Sequence, residues 1–188
     1  MSLSGEIIRR FDQMKKDRST MEDRISASDE GLKYLQRRRR TEGEMRKHLA
    51  AKGYDEIEID AAIEYLLSFR YIDDFVYALD YIEMSIGKGR GNMRIRRDLS
   101  DKGIDDETIE DAFCEKAEEY DSFSDLKYLQ VRRAIEQIRD IVGNIGDKAP
   151  DDKLLAKISR RLTGKGYETD IIHAVIRALR EGRISDYE

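Results

Sequence analysis

The segment Leu49-Ala50-Ala51-Lys52-Gly53-Tyr54 returns as Leu99-Ser100-Asp101-Lys102-Gly103-Ile104 and again as Leu162-Thr163-Gly164-Lys165-Gly166-Tyr167. A lysine followed by glycine, at the end of an apolar-periodic stretch, reads as a helix stop. Glycine takes the left-handed conformation just past a helix without steric cost, and lysine suits the helix's negative end. Around each stop the apolar positions agree. Met45, Ile95 and Ile158 lie four residues before the leucines; Ile59, Ile109 and Ile172 lie five residues after Tyr54, Ile104 and Tyr167. Ala62-Ile63, Ala112-Phe113 and Val175-Ile176 follow, so an amphipathic helix is predicted on each side of every turn. Asp55, Asp105 and Thr169 are placed to cap or charge the second of these helices.

A third helix precedes each pair. Leu32 and Leu35 with the Arg37 to Arg40 run predict one, ended before Thr41-Glu42-Gly43-Glu44, whose Thr-x-x-Glu spacing fits a capping box. Phe75, Ala78, Leu79, Ile82 and Ile86 predict the second; Leu126, Leu129, Ala134, Ile135, Ile138 and Ile141 predict the third. The chain thus divides into an N-terminal extension over 1–27 and three-helix units over 28–73, 74–121 and 122–188. In the extension Ile7, Ile8, Phe11 and Met14 form one weak apolar face, which predicts a loosely attached helix and linker. The interval from Leu99 to Leu162 exceeds that from Leu49 to Leu99, and a loop near 143–150 holds the excess, with Pro150 in a helix's first turn.

Composition supports an all-α reading. The 188 residues hold one proline, and only 39% are hydrophobic against 40% charged, which suits small helical units better than one thick core. No apolar run reaches the roughly 18 residues of a membrane span. Cys114 is the only cysteine, so no intrachain disulfide forms, and no signal-peptide pattern opens the chain. A cytoplasmic setting is expected.

Catalytic chemistry finds little purchase. His48 and His173 stand apart on helices, with no His-Glu-x-x-His or Cys-x-x-Cys pairing, so they read as surface or boundary residues and no metal or cofactor is expected. Cys114 beside Phe113 reads as a small core residue. Gly87-Lys88-Gly89-Arg90-Gly91 follows a helix and lacks the phosphate-loop pattern, which makes it a flexible basic connector. Asp73-Asp74, Asp105-Asp106 and Asp151-Asp152 each fall where a helix begins, where negative charge is favoured.

The informative charges are basic. With 35 cationic and 40 anionic residues the net charge is -5, yet the cations are segregated. Arg37, Arg38, Arg39, Arg40, Arg46, Lys47 and Lys52 cluster in the first unit, and Lys88, Arg90, Arg94, Arg96, Arg97 and Lys102 in the second. Four consecutive arginines on a helix point in every direction, so some must meet a partner or a neighbouring unit's acids. Tyr34, Tyr54 and Tyr71 are candidate anchors, or packing residues between helices.

The run Gly31-Leu32-Lys33-Tyr34-Leu35-Gln36 through Arg37–Arg40 to Thr41-Glu42-Gly43-Glu44-Met45-Arg46, then Lys52-Gly53-Tyr54 and Tyr71-Ile72-Asp73-Asp74, resembles the bacterial RecX regulators. The second unit agrees: Gly89 to Leu99 followed by Lys102-Gly103-Ile104-Asp105 is similar to that family's Gly-x-x-x-Ile-x-x-Leu-x-x-Lys-Gly pattern. The likeness covers roughly residues 28–186. Phe69-Arg70 departs from the acidic residue and glycine of the pattern, and Asn92 from its proline.

The resemblance implies tandem three-helix units in an elongated, curved array that binds the RecA recombinase filament on single-stranded DNA. It also implies inhibition of ATPase, strand-exchange and coprotease activities, without catalysis. The basic clusters are then the expected contacts with RecA or with phosphate, on a monomeric protein that also binds single-stranded DNA weakly. The alternative is a direct nucleic-acid-binding helical repeat, against which the net negative charge stands.

Overall fold

A computed structural model describes residues 25–119, 123–142 and 150–187, and within these the chain is helical throughout. The expected helix and linker of the N-terminal extension, up to residue 24, and most of the loop near 143–150 lie outside the described residues. The helices are α1 (Ala27–Leu35), α2 (Glu42–Ala51), α3 (Glu56–Ser68), α4 (Asp74–Gly87), α5 (Asn92–Ser100), α6 (Asp106–Glu119), α7 (Phe123–Glu136), α8 (Arg139–Val142), α9 (Asp152–Gly164) and α10 (Thr169–Arg180). A short 3₁₀ turn, Ile184–Tyr187, follows.

Local chemistry sets these boundaries. Ser26, Asp55, Asp73 and Asp151 are N-caps whose side chains accept the N–H three residues on. Asp55 and Glu58 complete a reciprocal capping box. Asp105 accepts the Thr108 N–H at 2.8 Å before α6. At α10 the cap is Glu168, with no side-chain hydrogen bond, so Thr169 is the first helical residue and not the cap. Pro150 lies just before the Asp151 cap, outside the helix.

The three Lys-Gly turns are built alike. Gly53, Gly103 and Gly166 have φ of 83°, 86° and 83°. In each, the residue after the glycine donates its N–H to the leucine carbonyl five positions back, at 3.2, 3.3 and 3.1 Å. This is the Schellman closure that satisfies the last helical carbonyls.

Further expectations fail. The arginine run is not helical: α1 ends at Leu35, Gln36 to Arg38 turn, and Arg39 and Arg40 belong to no regular element. The strap after the turn is held by tertiary bonds that a continued helix would forgo. The Thr41 hydroxyl, fully buried, donates to the Lys102 carbonyl at 2.6 Å and accepts the Glu44 N–H at 3.1 Å. The segment Gly87 to Gly91 is likewise a shaped joint and not a flexible connector. Gly89 is left-handed (φ 69°) and packs on Gln137, while Gly91 caps α5 and packs on the third Lys-Gly turn. The leading helix of the last group also breaks at Gln137 and Ile138 into α7 and α8.

The chain forms two compact units. One takes in the described residues up to Arg38 together with Met45–Tyr71; the other takes in Arg39–Glu44 together with Ile72 onward. In the first, α1 lies against α3, and Gly31 is close enough that a Cβ there would stand 2.9 Å from the Leu66 side chain. Met45, Leu49, Ala62, Ile63 and Leu66 are buried. The second unit holds two apolar clusters. One joins Ala78, Ile82, Ile86, Ile95, Leu99, Ile109 and Phe113; the other joins Ala134, Ile138, Leu155, Ile158, Leu162, Tyr167 and Val175. These are the positions that the periodicity assigns to the core. Cys114 is the exception, being exposed: it faces away while its neighbour Phe113 packs inward.

Arg70, at the position where the resemblance leads one to expect glycine, has a left-handed φ of 53°, and its N–H donates to the Leu67 carbonyl at 2.9 Å. A side chain in this region is strained. Arg70→Gly is expected to raise unfolding stability by about 0.5–1 kcal/mol, because relief of the left-handed strain exceeds the added chain entropy. In contrast, Gly91→Ala is expected to destabilise by roughly 1–3 kcal/mol, since its Cβ would stand 2.3 Å from the backbone of Gly166. Urea unfolding of both variants checks the pair.

Candidate interaction surface

Most of the cations singled out by sequence are held by acids of the same compact unit. In the first unit Arg46 pairs with Asp60 at 2.6 Å and Lys52 with Glu30 at 3.0 Å. Glu30 also bonds His48 at 3.0 Å, and His48 stacks on Tyr34 with centroids 3.8 Å apart. Lys52 first, and His48 after it, hold the Glu30 carboxyl below its usual range. Tyr54 is buried, its hydroxyl donating to the Ile25 carbonyl at 2.8 Å. Tyr34 and Tyr54 therefore pack within the unit.

Tyr71 is different. It is 51% exposed and stands beside Phe69, 61% exposed, with ring centroids 6.1 Å apart; Phe69 in turn lies 4.9 Å from Tyr65. Of this trio only Tyr71 is among the anchors expected from sequence. Tyr65 and Phe69 are four apart at the end of α3, off the apolar stripe of Ile59, Ile63 and Leu66, and that offset was the available signal.

In the second unit the charges knit helices together. Arg90 donates to Tyr81 at 2.7 Å and pairs with Asp98 at 3.0 Å, and Arg94 reaches the same carboxylate at 3.9 Å. Arg96 places two guanidinium nitrogens on Glu110, at 2.7 and 3.1 Å, reaches Glu168 at 3.3 Å, and lies 4.0 Å over the Phe113 ring. Arg96 holds the Glu110 carboxyl below its usual range. Lys102 pairs with Glu44 at 3.3 Å and faces the rings of Tyr77 and Tyr81. Arg39 pairs with Asp80 at 2.6 Å, and Arg40 is half-buried. Arg37, Arg38, Lys47, Lys88 and Arg97 are exposed.

Asp74 belongs to this network, and sequence assigned it only a helix-start role. It accepts the Glu42 N–H at 2.9 Å, tying the strap to the start of α4. Burial, with Glu42, Asp105 and Asp73 nearby and against the Glu42 N–H bond, raises its pKa from 3.8 to about 6. No cluster among the described residues groups acids, histidines or cysteine in a way that would hold a metal ion.

The comparisons with known proteins accord with this architecture. A family model described as RecX, first three-helix domain, matches residues 27–66, and one described as RecX, second three-helix domain, matches residues 73–112. The Regulatory protein RecX of Vibrio parahaemolyticus is 34% identical over 148 residues, covering 79% of this chain and 88% of that protein. This chain belongs to the RecX family. The Regulatory protein RecX of Clostridium acetobutylicum is 31% identical over 157 residues, covering 82% of this chain and 69% of that protein. The crystal structure of RecX from Lactobacillus salivarius superposes with a TM-score of 0.70 at 27% identity, over 81% of this chain and 94% of that one. A second RecX crystal structure, at 24% identity and a TM-score of 0.65, shares the fold. No helix among the described residues is long and apolar enough to cross a membrane.

Two outcomes are expected. Arg96→Lys should cost ~1–2 kcal/mol in urea unfolding, because an ammonium cannot reproduce the fork and loses the flat contact with Phe113. For Asp74, the folded chain binds the proton more tightly than the unfolded one. Its favourable contribution is complete below the unfolded pKa and is lost as pH rises through about 6. Asp74→Asn keeps an oxygen acceptor for Glu42 without ionising. Its stability relative to the parent should therefore improve as pH rises from about 4 to about 6 and stay level above about 7, read from urea midpoints.

Proposed function

We propose that this chain is a non-enzymatic regulator in the cytoplasm that binds the RecA filament on single-stranded DNA. Bound there, it lowers the filament's ATPase, strand-exchange and coprotease activities, and so acts in recombination, repair and the SOS response. Membership of the RecX family supports the regulatory class. The observation that carries the surface is exposure: Arg37, Arg38, Lys47, Lys88 and Arg97 are all exposed. Exposed cations steer an encounter with an acidic protein surface or with phosphate, and several weak contacts in one chain add through effective concentration.

The test is a RecA ATPase assay on single-stranded DNA with the protein titrated in. Reversing Arg37, Arg38, Lys47, Lys88 and Arg97 to glutamate together should raise the half-inhibitory concentration about tenfold or more, corresponding to ~1.4 kcal/mol. Circular dichroism should stay unchanged. Equal inhibition by the folded variant would overturn the role of these cations. Tight duplex binding without RecA, falling steeply with salt, would favour the direct nucleic-acid reading instead.

A further inference from the structure

The cations that sequence marks as partner contacts all lie before residue 103, but a further acid-free basic stretch comes later. Residues 153–167 hold five cations, Lys153, Lys157, Arg160, Arg161 and Lys165, and no acid, in a chain whose net charge is -5. Residues 171–180 are again free of acid and carry His173, Arg177 and Arg180. The two stretches make up most of α9 and α10, which pack against one another within the second compact unit.

In α9 the core takes Leu155, Ile158 and Leu162, and the opposite side carries Lys153, Lys157 and Arg160, spaced i, i+4, i+7 and all exposed. In α10 Ile171, Val175 and Ala178 are buried, whereas His173, Arg177 and Arg180 repeat that spacing on the outside. The two rows adjoin: Arg180 reaches Asp152 at 3.8 Å, so α10 ends beside the residue that precedes Lys153. Acids near these rows in sequence serve other groups. Asp140 pairs with Arg161 at 2.8 Å, Asp170 with Lys127 at 2.6 Å, Glu168 with Arg96 at 3.3 Å, and Glu181 with Arg183. Asp151 accepts the Leu154 N–H at 2.7 Å as a cap.

The chemistry of this face selects its partner. Every large apolar side chain of α9 and α10 is buried or half-buried, so the face offers no aromatic or aliphatic anchor of the kind that centres a protein interface. A membrane-surface helix needs its apolar side free, and here that side is the core. What remains is a rigid row of cations about 6 Å apart, from four residues at about 1.5 Å each, which suits a regular line of phosphates. We propose that Lys153, Lys157, Arg160 and Arg177 hold the phosphate backbone of duplex DNA, without regard to base sequence. Duplex is favoured over single strand because single strands gain affinity by stacking bases on exposed rings, and these two helices expose none. Neither helix contains Asn or Gln, the side chains that pair with adenine edges, which fits contact with phosphate alone. Four such contacts give weak binding, in the non-specific range of roughly 10⁻⁴ to 10⁻⁶ M at physiological salt.

Fluorescence anisotropy of a labelled mixed-sequence duplex, titrated with the full chain and without RecA, tests this. Between about 50 and 200 mM salt the logarithm of affinity should fall against the logarithm of salt with a slope of about -3 to -4. Lys157→Gln should reduce that slope by about 1, equally on two unrelated sequences. Glutamine at all four positions should lower affinity at the low-salt end by about tenfold or more and flatten the slope, with circular dichroism unchanged. Lys88→Gln with Arg97→Gln, which alters the cations proposed to meet the filament, should leave the duplex slope as it is. A slope that follows Lys88 and Arg97 and ignores Lys157 would overturn the proposal, as would a parent chain with no measurable duplex binding. Tighter binding to a single strand of the same length, or equal binding to poly-glutamate of matched charge, would assign the face to another partner and overturn it as well.

Discussion

Everything in the second compact unit depends on contacts in which one piece of backbone rests directly on another. The strap meets Lys102-Gly103 through the bare backbone of Gly43 and the Thr41 hydroxyl, the start of α5 meets Lys165-Gly166 main chain to main chain, and in each case a lysine carbonyl accepts the decisive hydrogen bond. Only glycine permits that approach. The left-handed turn and the helix entry are consequently two halves of one device: the turn exposes its carbonyls by ending a helix, and the next helix to arrive is positioned by using them. The apolar clusters then form around geometry already set by these joints.

Charged side chains tighten the same seams. Arg96 joins α6 to the cap of α10 and lies over Phe113, while Lys102 and Asp74 hold the strap from two sides. Partly exposed pairs of this kind each add little, because water competes for the charges. Their value lies in orientation: a planar fork with two acids on different helices tolerates few relative placements. Asp74 works differently: the Glu42 N–H it accepts favours its ionised form, while burial and the surrounding acids oppose ionisation.

Helix content, the three turns and the core positions were legible because they are written in local periodicity and in one glycine per turn. The arginine run was misread because four good helix formers in sequence carry no sign of the tertiary bonds, through Thr41 and Asp74, that hold the chain where the next helix begins. Gly87 to Gly91 looked flexible for a related reason: glycine richness signals either freedom or crowding, and only the positions of Gln137 and Gly166 decide which. The basic residues of the candidate surface were all visible as charges. Their sorting into pairs such as Arg96 with Glu168, and into exposed groups such as Lys88 and Arg97, depends on partners far away in the chain. Tyr65 and Phe69, beside Tyr71, were not legible as exposed aromatics because they look like ordinary helix-end residues until the fold leaves them in water.

The backbone contact at Gly91 and Gly166 has a metrical consequence. A joint made through long side chains can swing as rotamers change, but one made by touching main chains has almost no slack. The stretch from α4 to α10 therefore works as a ruler whose graduations are fixed by covalent geometry. The spacing between one set of exposed charges on that stretch and the next is thus set by main-chain contact and not by rotamers.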